Sequence, residues 1–450
     1  MAPLITMFWE KFILLVKRVP SHYIVTGSAW GSRIVIAALQ LLSIRVLLEG
    51  LGAERYAVFL LTNALLSWYM LADMGVGISL QNYISEYRRD QETSANYLAT
   101  ASILCLGLFL FFSILLYFIN QWLSQTYFKN FIFISDLEKG RIFLYSGMLF
   151  LMSGLGAVAY KAWYAHHKGY LANIMPAIAS VIGFVAILII LKSDISENDK
   201  LFYCILGFIS PPALISVASL VWQIRNVPPD CWKVETHVLS SLLKRASKFW
   251  ILYALAAGVL NVDFLILSQY VPPSKISIYG IGTKIFGFAA FFYVSLYAAL
   301  WPHFTEDISK NNWSNVRAHI KKSFLFSASF IILFTIFLLN FMPWISNLLS
   351  PSNKISIPLN FIFMLGVYHL ILVWVHGYAI ILQSMSDMKV LLVCSIFQTA
   401  LSIIFQIFLV EKIGIYGATL GMILSFLLTA VWLIPRRVFS HIKTSRQCNE

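Results

Sequence analysis

Long apolar runs alternate with short polar connections along almost the whole chain. Each run holds about 20 residues, enough for a helix to cross roughly 30 Å of hydrocarbon at about 1.5 Å per residue. The runs lack strict polar–apolar alternation, and only helices or closed barrels satisfy the backbone in lipid, so the pattern predicts helices. The twelve predicted spans are 24–48, 56–80, 97–119, 142–165, 171–191, 201–224, 249–270, 278–301, 323–342, 358–382, 390–410 and 415–434.

A polar connection at 225–248 separates two sets of six spans. Because six is even, both sets would enter the membrane from the same side, as in a parallel duplication. The segments GLGAERYAVF and VPPSKISIYG occupy equivalent places in the two halves. We therefore predict an all-α integral membrane protein with twelve transmembrane helices in two six-helix lobes. The predicted division is an amphipathic N-terminal segment 1–23, an N-lobe 24–224, a central loop 225–248, a C-lobe 249–434 and a tail 435–450.

The composition supports a membrane protein and excludes cytosolic enzymes. Hydrophobic residues make up 59% of the 450 residues, charged residues only 12%, and the mean hydropathy is +0.77. So few charges cannot cover the surface of a soluble protein of this size. The net charge of +13 does not indicate a nucleic-acid partner, because the Lys and Arg residues are dispersed between apolar runs. The five cysteines have no pairing rhythm, and we predict no disulfide.

The basic residues predict the orientation in the membrane. The connections on one side, together with both termini, contain 20 Lys and Arg, whereas those on the other side contain 9. Cytoplasmic connections are the ones enriched in Lys and Arg. We therefore predict that both termini and the central loop are cytoplasmic.

Three segments rich in Gly, Tyr and apolar residues stand out. They are GLGAERYAVFLL after span 1, LADMGVGISLQNYISEYR at the end of span 2, and NVDFLILSQYVPPSKISIYGIGTKIFGF across spans 7 and 8. With the twelve-span layout, they resemble the polysaccharide-transporter branch of the multidrug/oligosaccharidyl-lipid/polysaccharide (MOP) exporter superfamily, to which the O-antigen flippases belong. The resemblance implies two lobes around a central cavity in the bacterial inner membrane. It also implies alternating access that moves an undecaprenyl-diphosphate-linked oligosaccharide, the O-antigen repeat unit, from the cytoplasmic to the periplasmic leaflet, with membrane lipids, a polymerase and a chain-length regulator as partners.

Enzyme motifs are missing from the sequence. It contains no HExxH, CxxC pair, GxSxG or complete Walker A motif. We predict a transporter with no catalytic residues, no metal site and no cofactor, and we leave open coupling to H⁺, Na⁺ or the membrane potential alone. One alternative is a cation-coupled small-molecule exporter of the same superfamily, which would favour an acidic cavity. Another is a polymerase or ligase, which would need a larger outer loop than 120–141.

Six ionisable residues lie inside predicted spans, where each costs about 2.5 to 3.5 kcal/mol unless it faces protein or water. They are Arg33, Arg45, Asp73, Lys161, Asp263 and Lys284. Arg33 and Asp73 lie at matching depth, as do Asp263 and Lys284, so each pair is predicted to interact. One interpretation is a structural ion lock between helices. The other, which rests on the family resemblance, is a diphosphate site formed by Arg33, Arg45 or Lys284, with Asp73 or Asp263 responding to coupling ions.

Two of these basic residues lie close to the end of a span. Lys161 and Arg45 are within about a turn of it, so their long side chains can reach the interface. For Lys161 we expect this snorkelling. Arg45 has a second interpretation, in which it lines the outer mouth of a cavity.

Span 10 contains His369 and His376, which are seven residues apart and therefore lie on one helix face. Trp374 and Tyr378 lie in the same aromatic stretch. This pattern is typical of a sugar-stacking or proton-sensitive face. The alternative is a pair of buried histidines that hydrogen-bond between helices.

Overall fold

The computed structural model describes residues 21–350, 355–385 and 387–447. These residues form helices joined by short connections, with no strand among them. Most of the predicted amphipathic segment 1–23 lies outside the described residues. The helices are α1 Ser21–Ala64, α2 Leu66–Tyr69, α3 Val76–Glu86, α4 Gln91–Tyr127, α5 Asp136–Ala165, α6 Gly169–Leu191, α7 Glu197–Ile224, α8 Thr236–Leu260, α9 Val262–Tyr270, α10 Pro273–Ser309, α11 Trp313–Leu349, α12 Leu359–Ser384, α13 Met388–Ile413, α14 Ile415–Leu428 and α15 Ala430–Gln447.

Ten helical segments of the described chain are long and apolar enough to cross a membrane. Gly27–Asp73 is a single segment that covers predicted span 1 and most of span 2. Predicted span 7 falls on α8 and α9, which are separated at Asn261. The all-α membrane fold is therefore confirmed, while the number of twelve spans stays a prediction.

Two interruptions divide the helical segment that covers predicted spans 1 and 2. At Gly52, φ is 78° and ψ is 168°, a conformation open essentially to glycine alone, and it separates predicted spans 1 and 2. Within span 2, a 3₁₀ turn at Met70–Asp73 is followed by positive φ at Met74 and Gly75. The prolines Pro176, Pro211 and Pro212, by contrast, lie inside continuous helices, so none of them breaks its span.

The described residues group into two compact units. The first unit contains the described residues up to Ser43, together with Leu65–Trp122 and Leu137–Tyr253. The second contains Ile44–Ala64, Leu123–Asp136 and the described residues from Ala254 onward. These units are groupings in space, and the predicted lobes, which follow the order of the chain, stay a prediction. The predicted central loop is partly helical, because α8 begins at Thr236.

In the first unit, the start of α8 packs along α3. The Ser79 hydroxyl donates a hydrogen bond to the Leu242 carbonyl at 3.0 Å, and the Tyr83 hydroxyl donates one to the Ser241 carbonyl at 3.3 Å. Both carbonyls belong to α8 and also accept hydrogen bonds within that helix. The additional hydrogen bonds from the two α3 side chains fix the position of α8 along α3. The polar sequence of 236–248 therefore covers α3 instead of remaining a free connection.

In the second unit, the segment 123–136 packs through aromatic side chains. Phe128 is fully buried, and the Tyr127 hydroxyl donates a hydrogen bond to the Leu61 carbonyl at 2.9 Å. The Asn130 side chain donates to the Ser268 carbonyl at 3.1 Å. Each bond satisfies a backbone carbonyl near the end of a helix, where an intrahelical partner is missing or weak.

The sequence contains two GxxxG motifs, at 27–31 and 417–421, and their surroundings differ. A Cβ atom at Gly417 would lie 2.3 Å from the Leu409 carbonyl carbon, and one at Gly421 would lie 2.7 Å from the Gln406 side chain. The motif at 417–421 therefore allows α13 and α14 to pack closely. A Cβ atom on either glycine of the motif at 27–31 would meet no described residue within 4 Å, so this motif makes no close contact within the described part of the chain.

Candidate functional site

Lys284 lies about three turns into α10. Its ammonium donates a long hydrogen bond of 3.4 Å to the hydroxyl of Tyr56. The same ammonium lies over the rings of Tyr56 and Phe59, with its nitrogen 5.6 and 6.0 Å from their centroids. No carboxylate forms an ion pair with it in the described part of the chain. The positive charge of Lys284 is therefore held by aromatic rings and a phenol, and not by the predicted partner Asp263.

Asp263 lies in the first turn of α9, where the helix dipole favours a negative charge. Its Oδ2 atom accepts a hydrogen bond of 2.5 Å from the Tyr279 hydroxyl. Its Oδ1 atom is buried and has no hydrogen-bond partner with good geometry among the described residues. A buried carboxylate with one free oxygen is expensive in a membrane span, so this oxygen is suited to a proton or a small cation.

Asp73 ends the 3₁₀ turn in span 2, and its carboxylate caps α3. Its Oδ1 and Oδ2 atoms accept hydrogen bonds from the amides of Gly75 at 2.8 Å and Gly77 at 3.4 Å. Its electrostatic partner is Lys161, whose side chain also borders Gly77. The interaction predicted for Asp73 with Arg33 is therefore made by Lys161, and the expectation that the Lys161 side chain reaches the interface stays a prediction.

The two candidate arginines differ in their neighbours. The Arg45 Nε atom lies 3.3 Å from the Glu49 carboxylate one turn away, and both side chains are exposed. Such an exposed pair contributes little energy, but its carboxylate competes with any anion for the guanidinium. Arg33 is exposed, interacts electrostatically with Tyr164 and forms no ion pair within the described residues.

The two histidines of span 10 both face Tyr293. The ring of His369 is 7% exposed, stacks on Phe286 at 5.1 Å and is 3.2 Å from the Tyr293 hydroxyl. The ring of His376 lies 6.0 Å from that of Tyr293, and its Nδ1 atom is 2.9 Å from the Leu372 carbonyl, to which it donates. His376 is exposed. His369 therefore fits the buried alternative, while the Nε2 atom of His376 forms no hydrogen bond with the described residues.

Trp374 and Tyr378 pack within the second unit. The Trp374 ring nitrogen donates to the Val431 carbonyl at 3.1 Å, and its ring lies 4.7 Å from that of Tyr378. Tyr378 in turn contacts Phe439 at 5.7 Å. Both residues are only partly exposed and hold α12 against α15.

The sequence interpretation missed Tyr56 and the role of Lys161. Tyr56 lies within GLGAERYAVF, but nothing in that pattern connects it with Lys284, which is 228 positions away. The only usable signal was depth, because both residues lie near the same predicted side of their spans.

Comparison with known proteins relates the whole chain to transporters of bacterial surface polysaccharide. The chain is 33% identical over 420 residues to a protein of Yersinia pseudotuberculosis named as an O-antigen export protein, covering 93% of this chain and 96% of that one. It is 32% identical over 422 residues to one of Salmonella typhi named as an O-antigen transporter, covering 94% and 97%. The chain belongs to the O-antigen transporter family. This assignment confirms the resemblance seen in the sequence.

A family model and two solved structures show wider similarities of the chain. Residues 251–408 match the MatE family model. The lipid II flippase MurJ in an inward closed conformation has a TM-score of 0.75 at 13% identity, covering 92% of this chain and 87% of that chain. An inward-facing MATE transporter of the MOP superfamily has a TM-score of 0.72 at 13% identity, covering 91% and 96%. Membership of the O-antigen transporter family, shown by the two relatives above, confirms the prediction of a membrane transporter rather than an enzyme.

Proposed function

We propose that this chain flips an undecaprenyl-diphosphate-linked oligosaccharide, the O-antigen repeat unit, from the cytoplasmic to the periplasmic leaflet of the bacterial inner membrane. The chain works by alternating access, with both termini cytoplasmic. Its relatives are named for O-antigen transport, which supports this substrate class. Polymerase and chain-length regulator act on the product after translocation.

The observation that carries the proposal is the unpaired ammonium of Lys284 inside a membrane span. A diphosphate carries about two negative charges at neutral pH and crosses the bilayer only if donors replace its water. Among the described residues no carboxylate forms an ion pair with Lys284 or Arg33, so both are available to such an anion. Arg45 is a weaker candidate because Glu49 already occupies its guanidinium. Outward movement of each negative charge is favoured by about 2.3 kcal/mol per 100 mV.

The proposal is tested by replacing Lys284, Arg33 and Arg45 singly with Gln. Loss of one charge-assisted bond of about 1.5 to 3 kcal/mol should reduce transport at least about tenfold for Lys284→Gln and Arg33→Gln, and less for Arg45→Gln. The measurement is the accumulation of lipid-linked intermediates and the amount of surface polysaccharide at matched protein levels. Lys275→Gln is the control, because this exposed lysine lies at the start of the same helix. Normal export by all three variants would leave these charges without a role in transport.

Asp263 is the proposed coupling residue. Its free Oδ1 atom is available to bind a proton or Na⁺, whereas both oxygens of Asp73 already accept amide hydrogen bonds. Asp263→Asn should therefore abolish the dependence of transport on a proton or sodium gradient while leaving substrate binding intact. Proteoliposomes with imposed gradients measure this dependence. If Asp263→Asn responds to both gradients as the wild type does, coupling lies elsewhere or transport is driven by the potential alone.

His376 is the proposed proton-sensitive or sugar-contacting residue of α12, because it is the exposed member of the predicted face. His369, Trp374 and Tyr378 support that face through their packing.

A small-molecule exporter is the second candidate function, favoured by the match of 251–408 to the MatE model. Unchanged drug susceptibility after deletion of the gene, combined with loss of surface polysaccharide, would exclude it.

A further inference from the structure

Lys284 and Tyr56 together have more hydrogen-bond donors than the described residues around them have acceptors. An ammonium has three N–H donors, and one of them is used by the hydroxyl oxygen of Tyr56 at 3.4 Å. Tyr56 is 0% exposed, and its own O–H proton has no acceptor among the hydrogen bonds of the described residues. Two N–H groups of the partly exposed Lys284 and the O–H group of the buried Tyr56 therefore have no acceptor among the described residues, and a buried donor without an acceptor is costly.

The aromatic rings hold this arrangement in place. The ammonium lies 5.6 Å from the centroid of Tyr56 and 6.0 Å from that of Phe59, and these two rings stack on each other at 6.3 Å. Cation–π attraction orients the lysine without supplying a negative charge. An aspartate or glutamate beside Lys284 would both orient the ammonium and neutralise its charge. The carboxylate of Asp263 instead accepts a hydrogen bond from the Tyr279 hydroxyl. The site is thus organised for an anion that the protein itself does not provide.

We propose that Tyr56 and Lys284 together form a phosphate-binding donor pair, in which Tyr56 positions the ammonium and donates its hydroxyl proton to the same anion. This inference rests on the proposed function and adds a residue to its site. A phosphate group fits because its several oxygens accept from both donors at once, and bonds from an ammonium to such oxygens are charge-assisted. Lys284 lies within predicted span 8, about 9 Å along the helix from the start of that span at 278, which favours a diphosphate brought into the membrane over a headgroup at its surface.

The pair is tested on the purified full-length chain with farnesyl diphosphate as the probe. Acetic anhydride modifies accessible lysines, and mass spectrometry measures how well the probe protects Lys284. Lys284 is partly exposed, so the reagent reaches it. We expect protection in the wild type and about a tenfold higher half-protecting concentration in Tyr56→Phe, which keeps the ring and removes one hydrogen bond to an anion.

Tyr127→Phe is the matched control for Tyr56→Phe. It is a buried tyrosine of the same unit whose hydroxyl donates to the Leu61 carbonyl and does not contact Lys284. Its half-protecting concentration should stay at the wild-type value. Equal weakening in both variants would show that the loss reflects general destabilisation, and equal protection in Tyr56→Phe and wild type would overturn the inference.

Two further outcomes separate the sources of the phosphate and the two proposals. If phosphatidylglycerol protects Lys284 at lower concentration than farnesyl diphosphate does, the pair binds a resident bilayer lipid and its role toward a transported diphosphate is overturned. If Lys284→Gln stops export while Tyr56→Phe has no effect on either protection or export, the proposed function stands and the inference about Tyr56 fails. If Tyr56→Phe weakens protection but Lys284→Gln exports normally, the anion site stands and the role proposed for Lys284 in transport fails.

Discussion

At the start of α3, Gly75 combines a positive φ with close packing against α8. Its φ is 77°, and a Cβ atom there would lie 2.5 Å from the Ala246 carbonyl oxygen and 3.1 Å from the Trp250 amide nitrogen. These neighbours are backbone atoms, which cannot rotate away. Gly75→Ala should therefore destabilise the protein by at least about 2 kcal/mol, since the left-handed conformation alone costs roughly 1–2 kcal/mol for residues with a Cβ.

The melting temperature in detergent measures this effect, with Gly107→Ala as the control. Gly107 lies inside α4, and a Cβ atom there would meet nothing within 4 Å. Because alanine favours a helix over glycine by about 0.5–1 kcal/mol, Gly107→Ala should leave the melting temperature unchanged or raise it. Similar melting temperatures for the two variants would mean that α8 does not pack on Gly75 as described.

The ionisable residues of the candidate site show which features of single residues the sequence predicts and which it misses. The apolar runs predict which ionisable residues lie inside spans, because hydropathy depends only on local sequence. Matching depths then paired Asp73 with Arg33, whereas the structure places Lys161 beside Asp73. Depth gives the position along a helix axis but not the direction in which a side chain points, and that direction is fixed by packing between distant segments.

At the element scale, Arg245 fastens α8 to α3. Its guanidinium donates to both oxygens of Glu86 at 2.7 and 3.4 Å and lies 3.9 Å from the ring centroid of Tyr83. The hydrogen bond from Glu86 raises the pKa of Arg245 above its ordinary value, so the charge is constant at all physiological pH values. Arg245→Ala should weaken this contact by about 1 kcal/mol, because the pair is partly exposed.

Hydrogen exchange of the amides at 236–250 measures this weakening. Arg245→Ala should exchange several-fold faster there than wild type, and Arg245→Lys should be intermediate because lysine lacks the planar fork. Lys244→Ala, one position earlier and exposed, is the control. Unchanged exchange in Arg245→Ala would leave the hydroxyl bonds of Ser79 and Tyr83 as the contacts that hold α8.

Asp387 makes a second element-scale contact, between the α12–α13 connection and α15. Its Oδ2 atom accepts from Arg437 Nε at 2.6 Å and lies 2.9 Å from His441 Nε2. The hydrogen bonds from His441 and Arg437 lower the pKa of Asp387 below its ordinary value. A lowered folded-state pKa means that the stabilisation is present above the unfolded-state value of about 3.9 and is lost as the pH falls through the lower folded-state value.

The predicted result is that α15 keeps its protection from exchange between about pH 7 and pH 5 in the wild type, a range above both pKa values. In Asp387→Asn, the α15 amides should exchange faster throughout that pH range, because the asparagine side chain cannot replace the carboxylate as an anionic acceptor. Exchange of the amides at 436–447 measures this. Asp194→Asn, an exposed aspartate in another connection, is the control. Protection equal to wild type in Asp387→Asn would show that the apolar face of α15 suffices.

The boundaries of elements were less predictable than their existence. Hydropathy predicted the long helices α4 to α7 and α10 to α13, because length and apolar content decide membrane insertion. It did not predict the 3₁₀ turn at Met70–Asp73 or the break at Asn261. Both interruptions keep their backbone groups satisfied through local partners such as the Asp73 carboxylate, and such partners are not visible in an average over 20 residues.

At the scale of the whole molecule, the orientation in the membrane rests on the distribution of Lys and Arg. The structure changes how it is best tested, because the four cysteines in the described part, Cys105, Cys204, Cys231 and Cys394, are all buried. Failure of native Cys231 to react from outside would therefore be uninformative. The same burial means that newly introduced exposed cysteines report with little background once Cys448, outside the described residues, is replaced by Ser.

Two single cysteines in such a background decide the orientation. Ile132 is 91% exposed in the predicted outer connection 120–141, and Val234 is 42% exposed in the predicted cytoplasmic connection 225–248. A membrane-impermeant maleimide should label Ile132→Cys in cells with an intact inner membrane, and should label Val234→Cys only after that membrane is permeabilised. The 20-to-9 excess of basic residues is the physical basis, since positively charged connections are retained on the cytoplasmic side. If only Val234→Cys is labelled in intact cells, the orientation is the reverse of the predicted one. The diphosphate would then reach Lys284 from the opposite leaflet.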